Sequence, residues 1–475
     1  VTPTTEQQNI IDYVKEHEGL VLVNSVAGSG KTTLLTNIAK ELKPKNGLYL
    51  AYTKIVASSA QKKFPKGVKC LTTHSLAYGP TVRSPNKNFK LKLGKFSARS
   101  VVGVSNYERR QLVATLIREF CLSKHTDFNE FVKEAADITP AIIRTCHRTL
   151  VAMQKGEIEC SHDFYLKLYH MLLAQGTLEY QPFDLIMLDE AGDLNEVTLE
   201  IFNLLPARRK IMVGDPKQNI FGFNHTINCF EVMKDKGPVF PMSTSFRTSE
   251  KIAKRIEKFC NRYIDPKMKF KGIPIKDTEI STRAFISRTN GALISKMIEL
   301  NNMAIPYGLT RHPEQIFKGP LALCNLKPYS MIADPDLKYL QEDVNEYYED
   351  ELLKSAYKTP LHYIRDIYRD DIEIQQSINL IFRYGISSIM TCYKIAREHY
   401  KKEQTYVLGT AHSTKGMEYD EVTIGEDLNQ SITKILEKTE RCEPGAFNEN
   451  ALAEFNLYYV ACSRAKKVLL NALYV

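Results

Sequence analysis

The chain has no C-x-x-C pair: its ten cysteines, at 70, 121, 146, 160, 229, 260, 324, 392, 442 and 462, lie far apart. That argues against a zinc or iron–sulfur framework and fits reduced thiols in a cytosolic compartment. No window approaches the ~18 uninterrupted apolar residues of a membrane-spanning helix, so no membrane partner is expected. The opening VTPTTEQQNI is polar and lacks the basic and apolar blocks of a secretory signal, which predicts a soluble, intracellular protein. No internal repeat and no low-complexity tract stands out.

What is present is a globular composition. Of 475 residues, 43% are apolar and 25% charged, too many residues for one core and enough for about three or four units. Lys and Arg exceed Asp and Glu by 64 to 55, a net charge of +9 that fits contact with a polyanion without establishing it. The charge is uneven. SPNKNFKLKLGKF (84–96) is basic, and DPDLKYLQEDVNEYYEDELL (334–353) is strongly acidic and reads as a solvated face.

Four short apolar runs, GLVLVN (19–24), GLYLAY (47–52), FDLIMLDE (183–190) and KIMVGD (210–215), each end in polar or small residues. They predict buried strands of a parallel sheet with functional residues at the carboxyl ends. KTTLLTNIAKELK (31–43) supplies a helix between them. A second set, RAFISRT (283–289), QTYVLGTAH (404–412), DEVTIGE (420–426) and KKVLLNALYV (466–475), predicts a second α/β domain. Two mainly helical stretches interrupt this rhythm. The expected organisation is a first α/β domain at 1–80 and 181–240 with an insertion at 81–180, and a second at 241–324 and 401–475 with an insertion at 325–400.

In SVAGSGKT (25–32) the small residues Ala27, Gly28, Ser29 and Gly30 let backbone N–H groups close around phosphates. Lys31 neutralises the β- and γ-phosphates, the Thr32 hydroxyl serves Mg²⁺, and Thr33 follows at the helix start. Ser25 stands where the general pattern has glycine, a change small enough to keep the loop. Such a loop needs a carboxylate at the end of a neighbouring strand. LIMLDEAGD provides Asp189 for Mg²⁺ and Glu190 to polarise the attacking water. ATP hydrolysis fits better than phosphoryl transfer to a small molecule, because a kinase needs a compact lid and not a second α/β domain.

With these motifs placed, the chain resembles the superfamily 1 DNA helicases of the UvrD/Rep type. The resemblance implies two RecA-like P-loop motor domains with parallel sheets, each carrying a mainly helical insertion. TTEQQNII (4–11) is similar to the adenine-reading motif, with Gln7 as reader. GDPKQNIFGF (214–223) matches the motif in which Gln218 senses the γ-phosphate and Phe223 stacks on a base. TSFRTS (244–249) implies Phe246 against adenine and Arg247 at the γ-phosphate. GTAHSTKGMEYDEV (409–422) implies Thr410 and His412 toward DNA and Glu418 at the ribose. YVACSRAKK (459–467) implies Arg464 as a second γ-phosphate arginine. The resemblance places ATP and Mg²⁺ between the two motor domains.

The stretches 48–79 and 454–467 look closest to the helicase core of the eukaryotic F-box DNA helicases and their prokaryotic and viral relatives. No F-box is expected, so ubiquitin-ligase assembly does not carry over. A core without added modules suits a bacterial cytoplasm or a virus-infected host cell better than a nucleus. Tyr52 and Lys54, Thr73 and His74, and Arg288 with Asn290 occupy the remaining DNA-contacting motifs. Single strands are gripped in this way, by stacking aromatics and by cations along the phosphates. The Lys-apolar alternation at 89–93 reads either as a ribbon facing duplex DNA or as an ordinary surface hairpin.

Two departures stand out. Gly192 replaces the glutamine usual in D-E-A-Q-D, and Asn224-His225 replaces the usual Arg-Gly after Phe223. The expected activity is a DNA-stimulated ATPase, a monomeric motor moving 3′ to 5′ on single-stranded DNA and opening single-strand/duplex junctions. The alternative is a translocase that mainly strips RecA-type recombinase filaments. A recombinase or a single-strand-binding protein is the expected protein partner, in replication, recombination or repair. RNA is disfavoured, since nothing in the sequence reads a 2′-hydroxyl.

Overall fold

The computed structural model describes residues 2–83, 89–134, 138–220, 227–277, 279–324, 326–329, 340–369, 371–438 and 447–475. The chain divides into two compact units, Val1–Phe246 and Arg247–Val475. Among the described residues no helix is long and apolar enough to cross a membrane.

The first unit is built on a six-stranded sheet of β1 (Gly19–Ser25), β2 (Gly47–Ala51), β3 (Val68–Thr72), β4 (Phe183–Leu188), β5 (Ala207–Gly214) and β6 (Val239–Met242). The order is β3-β2-β4-β5-β1-β6 and every pairing is parallel, so all carboxyl ends share one edge. Strand alternation divides the core. Leu48 and Leu50 of β2 join Ile186, Leu166 and Phe202 on one face. Tyr49 and Ala51 join Leu34, Leu35, Ile38 and Phe64 on the other. Helix α1 (Thr5–Glu16) starts on a capping box between Thr4 and Gln7, and α2 (Lys31–Leu42) follows the phosphate loop. β3 and β6 are strands the sequence reading passed over. β6 carries Pro241, which an edge strand tolerates because it removes no ladder bond on the outer side.

Between β3 and β4 the helices Tyr107–Leu122, Phe128–Lys133, Pro140–Lys155 and His162–Ala174 enclose their own core. Among the described residues the basic segment forms a parallel pair and not a hairpin. Lys92–Leu93 pairs in parallel with Glu159–Cys160, while Phe89, Leu91, Leu93 and Phe96 pack on the insertion core. The alternation therefore turns the apolar side chains, half-buried, onto that core and Lys90 and Lys92 outward. Residues 84–88 of that segment lie outside the described residues. Two lysines, Lys167 buried and Lys210 half-buried, close helix ends by the same device. Lys167 Nζ donates to the carbonyls of Ser123 (2.6 Å) and His125 (2.7 Å), and Lys210 Nζ donates to those of Phe202 (2.9 Å) and Asn203 (2.7 Å). Cations are favoured at helix carboxyl ends. Burial draws both ammonium groups down to about 8.

The second unit holds a five-stranded parallel sheet of β7 (Arg283–Ser287), β8 (Gly308–Leu309), β9 (Tyr406–Thr410), β10 (Tyr419–Ile424) and β11 (Ala465–Leu470), in the order β8-β9-β7-β10-β11. β8, only two residues long, gave no sequence signal. β11 stops at Leu470 although the apolar run continues. Asn471 takes a left-handed backbone (φ 52°), where the ladder ends, and its side-chain Nδ2 donates to the Ile424 carbonyl at 2.8 Å. Five helices, Leu340–Glu349, Glu351–Ala356, Pro360–Ile367, Ile372–Tyr384 and Ile386–Tyr400, precede β9. The described part of the acidic run is amphipathic rather than a plain solvated face. Leu340, Val344 and Tyr347 are buried, and Asp343 and Glu346 accept from the hydroxyls of Tyr368 (2.6 Å) and Tyr363 (3.0 Å).

Candidate nucleotide and DNA sites

The loop between β1 and α2 turns on Gly28 (φ 73°) and Gly30 (φ 80°), a left-handed backbone that glycine adopts without steric cost. Its two ends are tied down. Ser25 Oγ donates to the Gly214 carbonyl at 2.8 Å, and the Val26 amide donates to that of Met242 at 3.0 Å. Ala27 is buried and Thr33 is exposed at the start of α2. The Ser29 hydroxyl is buried with no hydrogen-bond partner among the described residues, an orphaned polar atom in the loop that fits a phosphate ligand.

Lys31 Nζ lies 3.2 Å from Glu190 Oε1. Burial alone would lower the ammonium's pKa, but the carboxylates of Glu190, Asp189 and Asp215 outweigh it and hold it above its ordinary value. Asp189, 3% exposed, directly follows β4, and its carboxylate accepts three hydrogen bonds.

 Asp189 Oδ2 accepts from Thr32 Oγ1 (3.0 Å) and from the Tyr49 hydroxyl (2.7 Å), and Oδ1 accepts from the Glu190 amide (2.9 Å). Burial first, and Glu190 second, push the Asp189 carboxyl above its ordinary range, against the pull of Lys31 and the two hydroxyls. Glu190 itself sits in a left-handed backbone (φ 54°), unusual for a residue with a side chain. The donor set of a threonine hydroxyl and a carboxylate is all oxygen, the chemistry a hard cation such as Mg²⁺ selects.

The next strand end adds Gln218, buried, whose Nε2 donates to Asp215 Oδ2 at 2.8 Å. The turns after β4 and β5 meet backbone to backbone. A Cβ on Gly192 would lie 2.5 Å from the Asp215 carbonyl oxygen, and one on Gly214 would lie 2.8 Å from the amides of Ala191 and Gly192. Gly192 is therefore a packing requirement of this chain and not merely a missing side chain.

Gln7 and Phe246 come together on Gly30, with Gln7 Nε2 3.3 Å and the Phe246 ring 3.6 Å from where its Cβ would be. Gln7 Nε2 donates to the Ser29 carbonyl at 3.3 Å, and the Phe246 amide donates to that of Gly28 at 2.9 Å. Phe246 is 40% exposed, leaving a ring face open beside the loop. Tyr52, 54% exposed, and Thr73, buried, follow Ala51 and Thr72, which are paired across β2 and β3, so they lie side by side at the sheet's carboxyl edge. Lys54 opens the helix Lys54–Gln61 next to them. His74 Nε2 lies 3.6 Å from Asp163 Oδ1. Phe223, with Asn224 and His225, lies outside the described residues.

In the second unit, Arg247 Nε donates to Glu418 Oε2 at 2.8 Å and Arg247 Nη1 to the Ser463 carbonyl at 3.4 Å. Arg464 is buried, donating to the Val460 carbonyl (2.9 Å) and Ser463 Oγ (2.8 Å). The structure thus groups Arg247, Glu418 and Arg464. Ser287 pairs with Thr410, which sets Arg288 and Thr410 at neighbouring strand ends, and Thr410 Oγ1 donates to Ser413 Oγ at 3.1 Å. Arg288 is gripped by Glu454, with Nε–Oε distances of 3.1 and 3.0 Å and Nη2–Oε1 of 2.8 Å. Burial would raise the Glu454 carboxyl, but its bonds from Arg288 and Ser431, with the nearby charge of His412, hold it below the ordinary range. Asn290 opens the helix Asn290–Asn302, its side-chain oxygen buried and without a partner among the described residues. Arg288 and Glu454 line a pocket of about 650 Å³.

Sequence reasoning missed Tyr49, Glu6 and Glu454. Glu6 accepts from the Ser243 amide at 2.8 Å and its hydroxyl at 2.5 Å, tying α1 to the segment after β6. Tyr49 alone left a trace, a hydroxyl-bearing residue inside an otherwise apolar strand.

Residues 7–224, most of the first unit, match the AAA domain family. Over nearly its whole length the chain is distantly similar to two F-box DNA helicases. It is 26% identical over 518 residues to F-box DNA helicase 1 of Gallus gallus, covering 98% of this chain and 48% of the relative. It is 23% identical over 517 residues to F-box DNA helicase protein 1 of Schizosaccharomyces pombe (strain 972 / ATCC 24843), covering 98% of this chain and 57% of the relative. The chain spans about half the length of these curated relatives.

Proposed function

We propose that this chain is an ATP-driven DNA motor that moves 3′ to 5′ on single-stranded DNA and opens duplex at single-strand/duplex junctions. The observation that carries the reading is the cluster at the carboxyl ends of β1, β4 and β5, where Lys31, Thr32, Asp189, Glu190, Asp215 and Gln218 meet. The names of the distant relatives supply the DNA part of it.

In this mechanism the phosphates of ATP take Lys31 from Glu190, and the released carboxylate polarises the attacking water. Thr32 and Asp189 would hold Mg²⁺, which would supply charge neutralisation at the phosphates. Gln218 reports the state of the γ-phosphate to the turn it shares with Asp215. Gln7 and Phe246 hold adenine, Glu418 meets the ribose, and Arg247 and Arg464 act on the γ-phosphate. Tyr52, Lys54, Thr73, His74, Phe223, Arg288, Asn290, Thr410 and His412 contact the strand. We read 1–80 with 181–240, and 241–324 with 401–475, as the two motor domains, and the intervening segments as their insertions.

The test is strand displacement on duplexes carrying a 3′ or a 5′ single-stranded tail. Activity on the 3′-tailed substrate alone is expected, and a preference for the 5′ tail contradicts the polarity. Lys31→Ala should abolish ATP turnover while single-strand binding persists. Turnover preserved in that variant contradicts the assignment of the site.

A further inference from the structure

Tyr49 is wholly buried in β2, its ring packed against Phe64 with centroids 4.8 Å apart. Strand alternation points it to the α2 face of the sheet, where phenylalanine would fill the same space. The hydroxyl is the part that packing does not explain. It reaches from β2 to the end of the neighbouring strand β4 and donates to Asp189 Oδ2 at 2.7 Å. That oxygen also accepts from Thr32 Oγ1 at 3.0 Å. A carboxylate held by a rigid aromatic keeps one rotamer, and a threonine whose hydrogen is engaged on that carboxylate has its oxygen lone pairs available to a cation.

We infer that Tyr49 is a positioning residue, acting through Asp189 on the Thr32 hydroxyl to pre-organise the cation-holding pair. The inference rests on the reading of Thr32 and Asp189 as that pair. Neither the phosphate loop nor the D-E motif contains Tyr49; it enters from a third element, and it is the kind of support that a first set of ligands needs to hold its geometry.

The test is binding of a fluorescent N-methylanthraniloyl ATP to the full chain, with Mg²⁺ titrated and, separately, in EDTA. Tyr49→Phe keeps the ring and removes the hydroxyl. The expected result is a roughly ten-fold higher Mg²⁺ concentration at half-maximal binding, with binding in EDTA unchanged. Asp189→Asn is the reference. If Asp189→Asn raises the Mg²⁺ requirement and Tyr49→Phe does not, the role of Tyr49 is overturned and the site stands. If neither raises it, the reading of the site fails and the inference falls with it. A lower melting temperature for Tyr49→Phe at an unchanged Mg²⁺ requirement assigns the hydroxyl to stability alone and also overturns the inference.

Discussion

Replacing Gly192 by glutamine would give this chain the residue that UvrD/Rep-type motors carry there, and the structure has no room for it. The first added atom, Cβ, would lie 2.5 Å from the Asp215 carbonyl oxygen and 3.2 Å from its carbon. Ordinary contact between such atoms begins near 3.4 Å, so one of the two turns has to retreat by roughly 0.9 Å. The obstacle is backbone, and no side-chain rotation relieves it. Overpacking of this kind costs about 1–3 kcal/mol, which lowers the melting temperature of a unit this size by roughly 5 °C. The larger effect falls on chemistry. Asp189 and Glu190 precede one turn and Asp215 with Gln218 form the other, and a displacement of about 1 Å in such a site costs up to roughly 100-fold in rate. Melting curves and ATPase turnover at saturating single-stranded DNA measure both. Gly192→Ala should shift both in the same direction, since Cβ alone makes the clash. Wild-type melting and turnover in Gly192→Ala would refute the packing argument.

Three further outcomes follow from other parts of the molecule. Glu454→Gln releases the Arg288 guanidinium, so single-strand binding should tighten several-fold and its salt slope steepen by about one, an effect absent in an Arg288→Ala background. Weaker binding in Glu454→Gln would show that Glu454 supports Arg288 and does not compete with the strand. His170 is buried, and burial, aided by Lys167, lowers its pKa from 6.5 to about 4. Below pH 6.5 the unfolded chain takes up a proton that the fold refuses, so stability falls between pH 6.5 and 4, by about 3 kcal/mol at most. Urea midpoints for His170→Leu should lose part of that decline, and an unchanged slope would contradict it. Lys167→Met removes the cap on the helix Tyr107–Leu122 and should lower the melting temperature, whereas an unchanged value would show the cap to be dispensable.

The parallel strands that carry the phosphate loop and the D-E pair were legible because both faces of the sheet are buried and the apolar runs are continuous. β3 and β8 were not: the first alternates within five residues and the second has two, too short for a period to emerge. The basic segment at 89–93 misled for a related reason, since alternation states which side chains share a face but not which strand pairs with it. Individual motif residues were readable by type and spacing. Their partners were not, because Tyr49 and Glu454 reach Asp189 and Arg288 from 140 and 166 residues away in the chain. The steric role of Gly192 was likewise hidden, since sequence shows the missing side chain and not the carbonyl that occupies its place.

The central claim is that the phosphate site drives a motor on a single strand. The most direct measurement is the ATPase rate with oligo-dT, duplex DNA and single-stranded RNA, each at two salt concentrations. Strong stimulation by single-stranded DNA that weakens as salt rises is expected, with little from duplex or RNA. A rate indifferent to all three nucleic acids would contradict it.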